Sequence, residues 1–98
     1  MNTTLKQITE KIRIHKPELQ KKYFVKQIGI FGSWVRGEEK KESDIDILIE
    51  TEKPIDFFQF LEMEEKLSEW TGTKVDLVSK KALKPEIGKQ ILKEVQYL

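Results

Sequence analysis

Apolar residues recur at three- and four-residue steps in three segments of the chain, a spacing that places them on one face of a helix. These segments predict helices over about 4–15, 56–70 and 84–97. Pro17 favours a further short helix over 17–23, because proline suits the first helical turn. The longest predicted helix carries an apolar stripe that we expect to be buried. Its members are Phe57, Phe60, Leu61, Leu67 and Trp70.

Three shorter segments have the composition of β-strands and predict strands over 25–31, 44–50 and 74–78. The second alternates strictly, with isoleucines on one side and mainly polar residues on the other. A charged loop is expected over 37–43. The order of elements predicts an α+β fold, in which a small three-stranded sheet, parallel or mixed, packs with helices on one side.

Length and charge narrow the function classes. A chain of 98 residues predicts a single domain over 1–98. Its 18 basic and 17 acidic residues leave a net charge of +1, which argues against gripping nucleic acid by bulk electrostatics but leaves a local nucleotide site open. The absence of cysteine excludes disulfides and thiolate metal sites. No apolar run has signal-peptide or membrane-spanning length, so we expect a cytoplasmic protein.

Two aspartates stand out in the second predicted strand. Asp44 and Asp46 are two positions apart, so their side chains leave the same face about 7 Å apart along the backbone. Aspartate is a poor strand former, and two like charges on one face repel unless a cation lies between them. Mg²⁺ prefers hard oxygen ligands and is commonly held by one or two carboxylates plus substrate phosphates. The pair therefore predicts a magnesium site.

Further residues of the chain fit the same site. Asp76 interrupts an otherwise apolar strand and would join the pair if strands two and three are neighbours; three carboxylates can hold two metal ions. Gly32-Ser33 follows a strand and opens a helical turn, so its backbone N–H groups and hydroxyl can bind phosphate oxygens. Arg36, one turn on, can reach the same anion. Gly-Ser eleven residues before Asp-x-Asp is a far stronger signal than either alone.

These motifs resemble the minimal nucleotidyltransferase family, the smallest branch of the polymerase-beta-like nucleotidyltransferase superfamily. The resemblance runs from about Ile28 to the C-terminus and rests on GSWVRG, SDIDILI and VDLV, which begin at Gly32, Ser43 and Val75. It implies a nucleotidyltransferase fold. The family often has a small residue where this chain has Val35, which affects the packing behind the phosphate loop rather than the chemistry.

The resemblance also implies roles for the residues. Asp44 and Asp46 would ligate metal, and Asp76 would complete a site for two Mg²⁺ ions and act as base. Gly32, Ser33 and Arg36 would bind the phosphates of ATP. Stand-alone members of this size are commonly paired with an all-helical HEPN-domain ribonuclease toxin. Such members act as antitoxins, in studied systems by transferring AMP to a tyrosine of the toxin.

Several alternatives remain open on the sequence alone. A member of another functional class, an idle antitoxin or nucleotide-binding module, would neutralise the toxin by occlusion, although three repelling carboxylates favour the enzyme. Trp34 either stacks on a base or packs in the core. Tyr23 and Tyr97 are conceivable AMP acceptors within the chain itself. The acceptor, the number of AMP units, the nucleotide preference and the stoichiometry of a hetero-oligomer are not encoded in these motifs.

Overall fold

A computed structural model of the protein describes residues 3–40 and 43–98. Lys41 and Glu42, which belong to the expected charged loop, lie outside the described residues. In chain order the elements are α1 (Leu5–Ile14), α2 (Lys16–Tyr23), β1 (Val25–Phe31), α3 (Ser33–Arg36), β2 (Ile45–Thr51), α4 (Phe57–Thr71), β3 (Val75–Ser79), a 3-10 turn (Lys80–Ala82), α5 (Pro85–Glu94) and β4 (Gln96–Tyr97).

Two helices begin where the sequence predicts because capping boxes fix their first turns. Thr4 Oγ1 accepts from the backbone N–H of Gln7, and the Gln7 side chain accepts from the Thr4 N–H. Asp56 and Gln59 make the same reciprocal pair at the start of α4. The long helix then ends at Gly72, whose φ of 70° is the left-handed conformation expected at a helix C-terminus.

The sheet has four strands rather than the three predicted. Its order is β3-β2-β1-β4, with β2 and β3 parallel and β1 antiparallel to both β2 and β4, so it is mixed. The predicted C-terminal helix over 84–97 is wrong at its end. The helix stops at Glu94, Val95 turns extended, and Gln96–Tyr97 pairs with β1. Helical periodicity alone could not reveal that these residues pair with the open edge of β1.

The core lies between one face of the sheet and helices α1, α2 and α4. The helices contribute fully buried apolar side chains, and the sheet contributes a nearly continuous aliphatic layer. From the helices come Ile8, Ile12, Leu19, Tyr23, Met63 and Leu67, and from the strands Ile28, Ile30, Ile45, Ile47, Ile49, Val75 and Leu77. Each fully buried aliphatic side chain stabilises the fold by about 1.5–3 kcal/mol relative to exposure.

The apolar stripe predicted for α4 is buried only in part. Leu67 is fully buried, and Phe60 and Trp70 pack against the core from partly exposed positions. Phe57 and Leu61, however, are 68% and 41% exposed. Phe57 and Phe60 line a cavity together with Ile49 and Thr51 at the end of β2, so the start of α4 lies beside the sheet without being packed tightly against it.

Helix α4 also covers the edge of the sheet at β3. The Glu64 carboxylate accepts from the backbone N–H of Leu77 at 2.8 Å, and Ser68 Oγ accepts from the N–H of Val75 at 3.0 Å. Glu64 and Ser68 are one helical turn apart, which matches the spacing of alternate residues on a strand. These contacts occupy edge N–H groups that could otherwise pair with another chain. Within the described ranges, none of the helices has the length and apolarity to cross a membrane.

Candidate active site

Asp46 and Asp76 are direct partners across neighbouring strands. They pair in the parallel register of β2 and β3, where adjacent backbones lie about 4.8 Å apart. The expectation that the second and third strands are neighbours is therefore confirmed. Asp44 lies just before β2 and is exposed, and its Oδ2 is 3.9 Å from the Lys74 ammonium. All three predicted aspartates thus lie at the same end of the β2–β3 pair.

The electrostatics of Asp46 reflect this crowding. Partial burial raises the pKa of its carboxyl above the ordinary value, because the charged form loses hydration. The negative charges of Asp76 and Asp44 raise this pKa further, whereas the Arg36 guanidinium lowers it. The three aspartates and Arg36 therefore share one electrostatic neighbourhood, although Arg36 belongs to a different element.

Gly32 lies where the predicted phosphate-binding turn meets the carboxylates. It ends β1 with φ 83° and ψ −155°, a conformation that L side chains rarely adopt. A Cβ atom at this position would collide with Oδ2 of Asp46. Glycine is thus required here both by the backbone and by the carboxylate packed against it. The turn and the Asp-x-Asp strand, distant in sequence, form one continuous surface.

The short helix α3 holds the rest of the turn in place. The Gly32 carbonyl accepts from the N–H groups of Val35 and Arg36 at 3.1 and 3.2 Å. Trp34 is buried, and its Nε1–H donates to the Ser43 carbonyl at 3.3 Å, immediately before Asp44. Of the two interpretations of Trp34, the structure supports packing rather than base stacking. Its indole links the predicted phosphate-binding turn to the start of the Asp-x-Asp strand.

Among the described residues, Glu94 contacts the candidate site although the sequence did not indicate it. From the end of α5 its Oε2 accepts from the Gly32 N–H at 2.7 Å. Its two carboxylate oxygens also accept from Arg36 Nη1 at 2.9 and 3.1 Å, while Arg36 Nε donates to Glu38. No local pattern could have revealed Glu94, because it lies 58 residues after Arg36 and in an ordinary amphipathic helix.

The carboxylates fit a magnesium site in chemistry but are not arranged as a finished one. Hard carboxylate oxygens suit Mg²⁺, and a cation would relieve the repulsion that raises the pKa of Asp46. Across residues 3–40 and 43–98, however, no three acidic, histidine or cysteine side chains converge as a metal-binding group. A divalent ion would therefore have to draw the aspartates together, with phosphate oxygens completing its coordination.

The two tyrosines considered as acceptors differ completely in their surroundings. Tyr23 is fully buried, and its hydroxyl donates to Glu62 at 2.6 Å, so it cannot reach a nucleotide. Tyr97 lies in β4 opposite Gly29 and is 42% exposed. Only Tyr97 remains accessible.

Comparisons with known proteins agree with this geometry. The nucleotidyltransferase domain family model matches residues 12–98. The protein adenylyltransferase MntA of Thermococcus cleftensis is 45% identical over 95 residues, which are 97% of this chain and 96% of that protein. A structure described as a minimal nucleotidyltransferase has 28% identity and a TM-score of 0.74, and the match covers 91% of this chain and 94% of that one.

A more distant structure shares the fold. It contains a tri-AMPylated Shewanella oneidensis HEPN toxin with an MNT antitoxin, and it matches this chain with 22% identity and a TM-score of 0.67. The match covers 93% of this chain and 70% of that one. The family model and the 45% identity to MntA confirm the resemblance drawn from the motifs, and this chain belongs to the nucleotidyltransferase domain family.

Proposed function

We propose that residues 1–98 act as a single nucleotidyltransferase domain that transfers AMP from ATP to a tyrosine hydroxyl of a HEPN-type ribonuclease toxin. The chain would thereby act as the antitoxin. The observation that carries the proposal is the packing of the Asp46 carboxylate against Gly32, which joins the phosphate-binding turn to the carboxylate pair. The 45% identity to a protein adenylyltransferase supports protein as the acceptor class.

The residues divide the work of binding and proton transfer. The Gly32 N–H, the Ser33 hydroxyl and the Arg36 guanidinium bind phosphate oxygens of the nucleotide. Asp44, Asp46 and Asp76 hold magnesium, which supplies charge neutralisation on the phosphates when bound. The exposed carboxylate of Asp76 takes the proton of the acceptor hydroxyl. The acceptor oxygen forms a bond to the α-phosphorus, the bond from that phosphorus to the bridging oxygen breaks, and pyrophosphate leaves.

A HEPN toxin is the proposed partner because the same fold is found beside an AMPylated HEPN toxin in the Shewanella oneidensis complex. A hetero-oligomer of the two proteins brings a toxin tyrosine to the exposed aspartates. No direct role for nucleic acid is proposed, because the net charge is only +1.

A catalytically idle antitoxin that occludes its toxin is the second candidate. The surroundings of Asp46 argue against it: burial, and then the like charges of Asp76 and Asp44, raise the pKa of its carboxyl, and an unused site would not need this electrostatic cost. Occlusion and catalysis predict opposite results for a variant that keeps the shape of the surface but loses one carboxylate charge of the site.

The test is intact-protein mass spectrometry after incubation with a purified HEPN-type toxin, ATP and Mg²⁺. Wild type should add whole AMP units to the partner, and Asp46→Asn should lower the rate by at least about 100-fold. Glu52→Gln, which removes an exposed carboxylate outside the site, is the matched control and should react normally. Removal of Mg²⁺ with a chelator should also stop the transfer.

Neutralisation of the toxin separates the two candidates. If Asp46→Asn still forms the complex and still silences the toxin without any mass increment, occlusion replaces catalysis as the function. If increments appear on this chain instead, the accessible Tyr97 is the first acceptor to examine by fragmentation.

A further inference from the structure

Glu94 occupies the donors that the proposed function assigns to phosphate. Its Oε2 accepts the Gly32 N–H at 2.7 Å, and both oxygens lie within 3.1 Å of Arg36 Nη1. A carboxylate held by a backbone amide and a guanidinium presents the same charge-assisted hydrogen bonds that a phosphate oxygen would make there. The side chain of Glu94 is only 26% exposed, so these bonds are partly shielded from water.

The architecture of the C-terminal segment delivers Glu94 to this position. Immediately after Glu94, Gln96 and Tyr97 pair with Ile30 and Gly29 of β1. The Leu98 N–H donates to the Ile28 carbonyl at 2.9 Å. These two residue pairs and this hydrogen bond hold the chain on the edge of β1 within four residues of the Glu94 carboxylate.

Two further features hold the same segment. The Lys16 ammonium donates to the Leu98 carbonyl at 2.7 Å, which ties the segment to α2. Gly29 leaves room for Val95, since a Cβ atom at Gly29 would lie 2.6 Å from Val95 Cγ2. The contact of Glu94 with the turn therefore follows from the packing of the fold and not from a freely rotating surface side chain.

The carboxylate and a triphosphate cannot use these donors together. The Gly32 amide has one hydrogen to give, and Glu94 already accepts it. The Glu94 carboxylate would also repel a negatively charged phosphate group placed next to it. Glu94 already adds its negative charge to those that raise the pKa of Asp46, so a further anion would crowd the site.

We propose that Glu94 is a built-in competitor for the nucleotide, a carboxylate that closes the phosphate-binding turn and must leave Gly32 and Arg36 before triphosphate binds. The inference rests on the proposed function, because it takes the turn to be the phosphate site. In a two-state equilibrium, the apparent affinity for nucleotide falls by the fraction of molecules in which the turn is open. Binding of ATP and release of Glu94 are then one coupled event.

The test compares nucleotide affinity by calorimetry, with a non-hydrolysable ATP analogue and Mg²⁺. Glu94→Gln and Glu94→Ala should bind the analogue about 3- to 10-fold more tightly than wild type, the range expected for losing one competing ion pair. Glu86→Gln, which removes an exposed carboxylate from the same helix, is the matched control and should bind like wild type. Circular dichroism establishes that each variant is folded. Glu94→Asp is a milder change at the same position, because it keeps the carboxylate on a side chain that is one methylene shorter.

Unchanged or weaker binding by folded Glu94 variants overturns the proposal. Weaker binding would make Glu94 a positioning residue that orients Arg36 for the nucleotide. If neither wild type nor any Glu94 variant binds the analogue, the nucleotide function itself fails, which is a separate result.

Nuclear magnetic resonance follows the displacement without any catalytic readout. The Gly32 amide and Arg36 Nη1–H resonances, which belong to the two groups that donate to Glu94, should shift when Glu94 is replaced, and should shift again in wild type on adding the analogue. If the analogue binds wild type while both resonances stay unchanged, Glu94 has not been displaced. That outcome contradicts the inference but leaves nucleotide binding intact.

Discussion

Strand β2 presents two chemically different faces within seven residues. Ile45, Ile47 and Ile49 lie in the core against the helices, each at most 1% exposed. On the other face, Asp46 is half-buried beside Asp76 and Gly32. Removing the three isoleucine side chains from water stabilises the fold. Asp46 instead has a raised pKa caused by burial and like charges.

The difference shows how one strand serves both stability and function. Side chains alternate across a strand, so neighbouring residues can lie in different environments without contacting one another. The aliphatic face fixes the register, and the register in turn places Asp46 opposite Asp76 and next to the proposed phosphate-binding turn at Gly32. Substitutions at the adjacent residues Asp46 and Ile47 should therefore change the free energy of unfolding in opposite directions, whereas Leu48, on the Asp46 face, is buried like the isoleucines.

The largest change is expected on the aliphatic face. Ile47→Ala should lower the free energy of unfolding by about 2–5 kcal/mol, because a fully buried side chain is lost and a cavity remains. Urea denaturation followed by circular dichroism measures this change. Ile87→Ala, at a position 55% exposed in α5, is the control and should change stability by less than about 0.5 kcal/mol. Equal costs at the two positions would contradict the assignment of this face as the core.

A smaller loss is expected at the polar contact within the helical layer. Tyr23 is fully buried and donates its hydroxyl to Glu62, which also pairs with Lys22 at 2.6 Å. Tyr23→Phe should lower the free energy of unfolding by about 1–2 kcal/mol, as expected for a hydrogen bond to a charged acceptor. Tyr97→Phe, at an exposed position, should have little effect.

The same tyrosine predicts a pH dependence. Burial, and then the hydrogen bond to Glu62, raise the pKa of Tyr23 from 10.0 to about 12. Because the folded state holds this proton more tightly, the stabilisation is complete below pH 10.0 and is lost as pH rises towards 12. The stability gap between wild type and Tyr23→Phe should narrow over this interval. A gap that stays constant would mean that the two states release the proton at the same pH.

The sequence predicted those features that depend on neighbouring residues. The helices predicted to begin near residues 4 and 56 start at Leu5 and Phe57, and the alternation in β2 separates the two faces. The Gly-Ser turn and the Asp-x-Asp strand are also local patterns. Their convergence at Gly32 and Asp46 depended on the resemblance and on strand adjacency, which the register now shows.

The features that the sequence missed are decided by distant parts of the chain. Val95 continues the helical spacing of α5, but the free edge of β1 draws the following residues into β4. Glu94 precedes β4 by two residues and contacts Arg36, which is 58 residues away in the sequence. Phe57 has the right spacing for burial, yet it is 68% exposed and lines an open cavity with Ile49 and Thr51. Periodicity reports which face is apolar, not how far the partner surface reaches.

The smallest expected change in the free energy of unfolding is a gain, and it is expected at Asp46, the residue next to Ile47. Asp46→Asn should raise the free energy of unfolding by a few tenths to about 1 kcal/mol in magnesium-free buffer, after allowance for solvent screening. The amide keeps the size of the side chain while removing a charge that Asp76 and Asp44 repel. Urea denaturation with Glu52→Gln as control measures the gain. A loss of stability instead would mean that the attraction of Arg36 for Asp46 outweighs the repulsion, and Asp46 would then stabilise the fold as the isoleucines of β2 do.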